Sequence, residues 1–138
     1  MERLQVHSDL KYLRQVRHWV ARVCADWGMN EDGINDMRIA VGEAFTNCVV
    51  HAYGGRTDGV VVLSGEERKG RATIRVRDCG TAVPIDPETV PDLNRPHEGG
   101  YGVYLMKRLT DGLRFVTSDP PGTEVVLIKY ISQKAWEI

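Results

Sequence analysis

Long apolar runs are missing from this 138-residue chain, and stretches such as Val60-Val61-Val62-Leu63 fall far short of the roughly 20 residues a membrane span needs. Cysteine is scarce: Cys24, Cys48 and Cys79 form no C-x-x-C pair, so neither a disulfide framework nor a thiolate zinc site is indicated, and a reducing compartment fits. The four histidines, His7, His18, His51 and His97, are too scattered to make up a metal motif. An excess of charge of either sign is missing too. A net charge of -1 and a pI near 6.4 provide no basic field for nucleic acid or an anionic membrane. The opening Met1-Glu2-Arg3-Leu4 has no apolar core of a secretion signal. The expectation is a soluble, cytoplasmic protein whose partners are chosen locally, with no nucleic acid and no membrane among them.

What is present is a 42% hydrophobic composition, enough for one substantial core and one domain spanning residues 1–138. Residues 3–7 suit a short strand. Ser8 or Asp9 can then cap a helix carrying Leu10, Leu13, Val16, Val20, Cys24 and Trp27, which Gly28 ends. A second helix starts near Asn30 to Asp32, shows Ile34, Met37, Val41, Ala44, Phe45, Cys48, Val49 and Ala52 on one stripe, and stops before Gly54-Gly55. Strands over 59–66 and 71–78 flank Glu67-Arg68-Lys69-Gly70 as a hairpin. Four of the six prolines, Pro84, Pro87, Pro91 and Pro96, mark 82–99 as a long irregular loop. A helix over 101–111, a strand over 113–118, the turn Asp119-Pro120-Pro121-Gly122 and a strand over 123–131 complete the chain. Strands in adjacent pairs predict an α+β two-layer sandwich, with a largely antiparallel mixed sheet and helices on one face.

Glu43 and Asn47 stand four residues apart on the second helix, so their side chains share one strip. An amide oxygen is a suitable single ligand for Mg²⁺, which completes its octahedron with waters and phosphate oxygens. A carboxylate one turn away can take a proton from an attacking hydroxyl. The spacing alone is also that of the solvated face of an amphipathic helix. Asp78 falls on the same strand face as Ile74 and Val76, where a carboxylate needs a donor. The exocyclic amine of adenine is one such donor; capping of the turn at Gly80 is the alternative. Gly99, Gly100 and Gly102 precede a helix, where bare N–H groups can approach phosphates at the positive end of the dipole. The same glycines do not fit a dinucleotide fingerprint, since no strand precedes them and Leu105 takes the third glycine position, and no Gly-Lys-Ser/Thr follows as in a Walker loop.

Taken in order, these parts resemble the GHKL (Bergerat-fold) ATPase superfamily, and within it the anti-sigma-factor serine/threonine kinases of bacterial switches. Ala40-Val41-Gly42-Glu43-Ala44-Phe45-Thr46-Asn47 resembles the N box, which implies Asn47 as the Mg²⁺ ligand and Glu43 as the general base. Asp78-x-Gly80 resembles the G1 box, making Asp78 the adenine acceptor. Glu98-Gly99-Gly100-Tyr101-Gly102 resembles the G2 box at the hinge of an ATP lid over about 82–99, and Gly122-Thr123 resembles the pair that closes the adenine pocket. The resemblance implies ATP and Mg²⁺ as cofactors. It implies a sigma factor and a STAS-type antagonist protein as partners, and it allows a homodimer.

The chain departs from the pattern at Ala82, where the wider superfamily has a second glycine, and at Glu98, where some relatives have a lid arginine. Arg95 and His97 stand open between a γ-phosphate contact and solvated loop charges. His51, a turn beyond Asn47, can reach a phosphate or simply suit the helix end. Arg14, Arg17 and Arg22 on the first helix either meet acidic partners or solubilise it. Two other functions stay in view: an ATP-binding regulatory module without phosphotransfer, and the catalytic ATPase domain of a larger signalling protein.

Overall fold

Alternation along one strand decides which way the sheet faces. In β3 (Arg71–Asp78), Ala72, Ile74, Val76 and Asp78 are buried, while Arg75 and Arg77 project to the opposite side, the period of two that a strand with one covered face requires. A computed structural model describes residues 1–79, 100–118 and 122–131. In it, β3 is the middle strand of a five-stranded sheet. The others are β1 (Glu2–His7), β2 (Val60–Arg68), β4 (Gly112–Ser118) and β5 (Gly122–Tyr130). Their order is β1-β2-β3-β5-β4, and every neighbouring pair is antiparallel. This is the α+β sandwich expected from the sequence, with no parallel pair among the described strands.

Three helices, α1 (Leu13–Asp26), α2 (Glu31–Asn47) and α3 (Gly100–Leu109), pack with the sheet. Val16, Val20 and Val23 of α1, Met37, Val41 and Phe45 of α2, and Met106 of α3 join Val61, Leu63, Ile74, Val76 and Leu127 in one apolar core. Phe45 is its largest fully buried side chain; deleting such a ring costs about 3–5 kcal/mol. The start of α2 follows its sequence signal: Asn30 accepts the Gly33 N–H at 2.8 Å, with Glu31 and Asp32 at the positive end of the dipole.

Three local expectations shift. Before α1 the chain makes a 3-10 turn, Leu10–Tyr12, capped by the Asp9 carboxylate on the Lys11 N–H. This turn leaves Leu10 47% exposed, off the apolar stripe. Ser8 is not a cap: its hydroxyl donates to the Arg56 carbonyl and accepts the Gly59 N–H at 3.0 Å. The β2–β3 connection is also tighter than four residues. Glu67 and Arg68 pair with Ala72 and Arg71, so the turn is Lys69-Gly70 alone, with φ of 53° and 78°. Positive φ at both positions marks the hairpin turn whose twist matches the strands.

One ion pair ties three elements together. Lys129 Nζ on β5 donates to Asp36 Oδ2 on α2 at 3.0 Å and to the Leu109 carbonyl at the end of α3 at 2.8 Å. The carbonyl contact supplies a cation where the α3 dipole ends. The expected lid over 82–99 and the Asp119-Pro120-Pro121 part of the turn lie outside the described residues.

Candidate functional site

Burial of Ala40, Val41, Ala44 and Phe45 fixes the rotation of α2 about its axis, and that leaves Glu43 and Asn47 half-exposed on the side facing α3. The first turn of α3 stands directly over them. A Cβ placed on Gly102 would lie 3.0 Å from Glu43 Oε2, 3.4 Å from Asn47 Oδ1 and 3.6 Å from Asn47 Nδ2. Residues from the sequence-expected N and G2 boxes are therefore in contact distance, and the absence of a side chain at Gly102 keeps the space between them open. The first N–H groups of a helix lack acceptors within the helix, so this cradle combines amide donors, a carboxylate and an amide oxygen.

Asp78 ends β3 on the covered face and is 4% exposed. Its Oδ2 accepts the backbone N–H of Thr123 on β5 at 3.1 Å, which brings the expected G1 residue and the expected closing threonine together. The two halves of the site meet through Cys48, the residue after Asn47. Burial drives the Cys48 thiol well above the usual thiol range, and the Asp78 carboxylate pushes it further in the same direction. The strand end that carries Asp78 is tied to the turn after α2 by the Cys79 N–H, which donates to the Tyr53 hydroxyl at 2.8 Å.

The helix does not run on regularly to Ala52 as its periodicity suggests. Cys48–Ala52 winds as a π-helical turn, closed by Tyr53 N–H to the Cys48 carbonyl at 3.0 Å; such turns are rare and often mark functional positions. His51 lies exposed on it. Tyr53 is the residue that sequence reasoning passed over. Its hydroxyl accepts the Cys79 N–H at 2.8 Å and donates to the Val60 carbonyl. Burial raises the phenol pKa, the Cys79 hydrogen bond opposes that, and Asp78 adds to it. Partners 7 and 26 residues away in the chain leave no local signal for this role. Gly80, Gly99, Ala82, Arg95, His97 and Glu98 lie outside the described residues, and Gly100 is the first residue of α3.

The match to known proteins follows this geometry. The family described as the histidine kinase-like ATPase domain matches residues 6–129, from β1 into β5 and across every side chain described above. The chain belongs to the histidine kinase-like ATPase domain family. A relative from Listeria innocua, the serine-protein kinase RsbW, is 29% identical over 97% of this chain and 89% of its own length. The RsbW of Bacillus velezensis is 30% identical over 94% and 84%. An anti-sigma F factor from Clostridium botulinum is 32% identical over 80% of each chain. The fold also matches a 33% share of a solved Mycobacterium tuberculosis chain described as the RsbU and RsbW domains of Rv1364c, with a TM-score of 0.66 and 20% identity over 96% of this chain.

The donor set of this histidine kinase-like ATPase domain fits a magnesium–nucleotide pair. One neutral amide oxygen and one carboxylate, open to solvent on one side, suit an ion that keeps waters and phosphate oxygens; an all-protein cage would demand more. A buried carboxylate that already orients one amide N–H suits a purine amine. Among the described residues, no helix is long and apolar enough to cross a membrane.

Proposed function

We propose that this chain is a cytoplasmic ATP-dependent serine/threonine protein kinase of a bacterial partner switch, which holds a sigma factor and phosphorylates a STAS-type antagonist protein. The observation that carries the reading is the convergence of Glu43, Asn47 and Gly102 beside a buried Asp78 that engages Thr123. The names of relatives matched over most of their length support the choice of a protein hydroxyl as acceptor. The anti-sigma F factor among them supports a sigma factor as partner.

In this reading Asp78 accepts the exocyclic amine of adenine, with Thr123 and Gly80 as further nucleotide-binding residues. Gly99, Gly100 and Gly102 present backbone to the phosphates without side chains in the way. Asn47 holds Mg²⁺, which supplies charge neutralisation across the phosphates when bound. Glu43 accepts the proton of the attacking serine or threonine hydroxyl, a role that its approach to Gly102 supports. Phosphoryl transfer asks little covalent chemistry of a protein, so positioning and electrostatics account for most of the rate.

The test is twofold. Calorimetric ATP titration with and without Mg²⁺ is expected to show magnesium-dependent affinity that Asn47→Ala removes. Transfer of labelled phosphate to a STAS-type antagonist is expected to vanish in Glu43→Gln while ADP still binds. Retained phosphotransfer in Glu43→Gln would overturn the assignment of the base, and magnesium-independent ATP binding would overturn that of Asn47.

A further inference from the structure

Tyr53 is held on three sides. Its ring packs on Gly59 so closely that a Cβ there would lie 2.4 Å from Tyr53 Cε1. Its hydroxyl donates to the Val60 carbonyl, in the first residue of β2, and accepts the N–H of Cys79, the residue directly after Asp78. The side chain is 4% exposed. The Cys79 N–H also has a longer second acceptor, the Val60 carbonyl at 3.3 Å. β3 ends at Asp78, and the ends of strands are the places where backbone pairing opens most readily.

The Tyr53 hydroxyl is therefore a clamp on the peptide that follows Asp78. It also lies at the end of the π-helical turn that begins right after Asn47, so it joins the segment carrying Asn47 to the strand end carrying Asp78. The phenol is protonated through the neutral range, as tyrosine ordinarily is, and burial raises its pKa further; it can donate to one carbonyl while accepting from one amide.

We propose that Tyr53 is a positioning residue for adenine recognition: its hydroxyl sets the orientation of the Asp78–Cys79 peptide, and so the direction in which the Asp78 carboxylate faces the base. Tyr53 touches no nucleotide itself. The inference rests on the nucleotide reading of Asp78 given above. A carboxylate whose supporting peptide is free to turn would accept an amine less well and would discriminate adenine from guanine less sharply, since discrimination comes from fixed rather than adaptable groups.

The test compares wild type with Tyr53→Phe, which keeps the ring over Gly59 and removes only the hydroxyl. Competition titrations with ADP and GDP are expected to show ADP affinity reduced roughly three- to tenfold, the worth of one hydrogen bond, with GDP affinity nearly unchanged, so that the preference for adenine falls by the same factor. A role confined to stability would lower the melting temperature and leave that preference alone. Hydrogen exchange of the wild type without nucleotide gives an independent reading: the Cys79 amide should already be protected before any ligand is added. An unchanged ADP-to-GDP ratio in Tyr53→Phe, or a Cys79 amide that exchanges freely until ADP is added, overturns the proposal while the nucleotide site stands. Failure of the wild type to bind ADP at all would instead overturn the reading of Asp78 on which the proposal depends.

Discussion

Gly102 and Glu43 face each other so closely that a single methyl on the glycine would lie 3.0 Å from the carboxylate oxygen Oε2. The contact is tighter than carbon and oxygen ordinarily sustain, so either Glu43 or the first turn of α3 must move. The shift needed is a few tenths of an ångström at the end of a flexible side chain, so Gly102→Ala is expected to keep the fold, judged by circular dichroism, and to lower phosphotransfer by roughly 2- to 10-fold, less than the hundredfold that a 1 Å misplacement can cost. Wild-type turnover in this variant would show that the cradle is not where transfer occurs.

Asp78 links β3 to Thr123 and is almost wholly buried. Asp78→Asn retains an oxygen for the Thr123 N–H but loses the charge that strengthens a bond from an amine. Hydrogen bonds to charged groups are worth about 1.5–3 kcal/mol. A titration should show ADP affinity about 10- to 150-fold weaker. An unaltered dissociation constant would remove Asp78 from the binding site.

Lys129 holds α2, α3 and β5 at one point and is 15% exposed, against 37% for its partner Asp36. Lys129→Met should lower stability by about 1–2 kcal/mol, because it leaves a half-buried carboxylate and a helix-end carbonyl without their donor. By contrast, Arg56→Ala, which breaks the exposed Arg56–Asp58 pair, should leave the denaturation midpoint where it was, as loss of a surface pair generally does. Parallel urea melts of the two variants give the comparison; equal losses would mean that burial of Lys129 confers no advantage.

Alkali should unfold this protein through its buried acids. Burial pushes the Cys24 thiol from 9.0 up to about 12, and Cys48 and Tyr53 move in the same direction. The folded state then holds protons that the unfolded chain releases, so the stability is fully present below pH 9.0 and is lost as pH rises toward about 12. Urea midpoints measured from about pH 8 to pH 10.5 should fall progressively, and Cys24→Ala should lower the plateau but flatten the slope. An identical slope in the variant would assign the alkaline loss to other groups.

Much of the site was legible before any coordinates. The i, i+4 spacing of Glu43 and Asn47 needs only helical geometry, and the alternation of β3 already placed Asp78 beside Ile74 and Val76, where it is found. The order of the boxes carried the family. Boundaries were less legible. The 3-10 turn ahead of α1, the π-helical turn after Asn47 and the two-residue hairpin at Lys69-Gly70 all depend on which backbone groups find partners across the fold, as when Ser8 turns from a cap into an anchor for the Arg56–Gly59 loop.

The sequence by itself determined the periodic elements, the inward face of β3 and the residue types that suit a magnesium–nucleotide pair, because those follow from local repeats of two and of three to four residues. Only the tertiary structure decided that Gly102 would close over Glu43, that the Thr123 backbone would meet Asp78, and that Tyr53 would brace the end of β3. Each of these contacts joins segments that nothing in the local chain relates. What brings them together is the single apolar core, whose packing leaves α3 over α2 and β5 beside β3 as the arrangement that buries Phe45, Met106 and Leu127 at once.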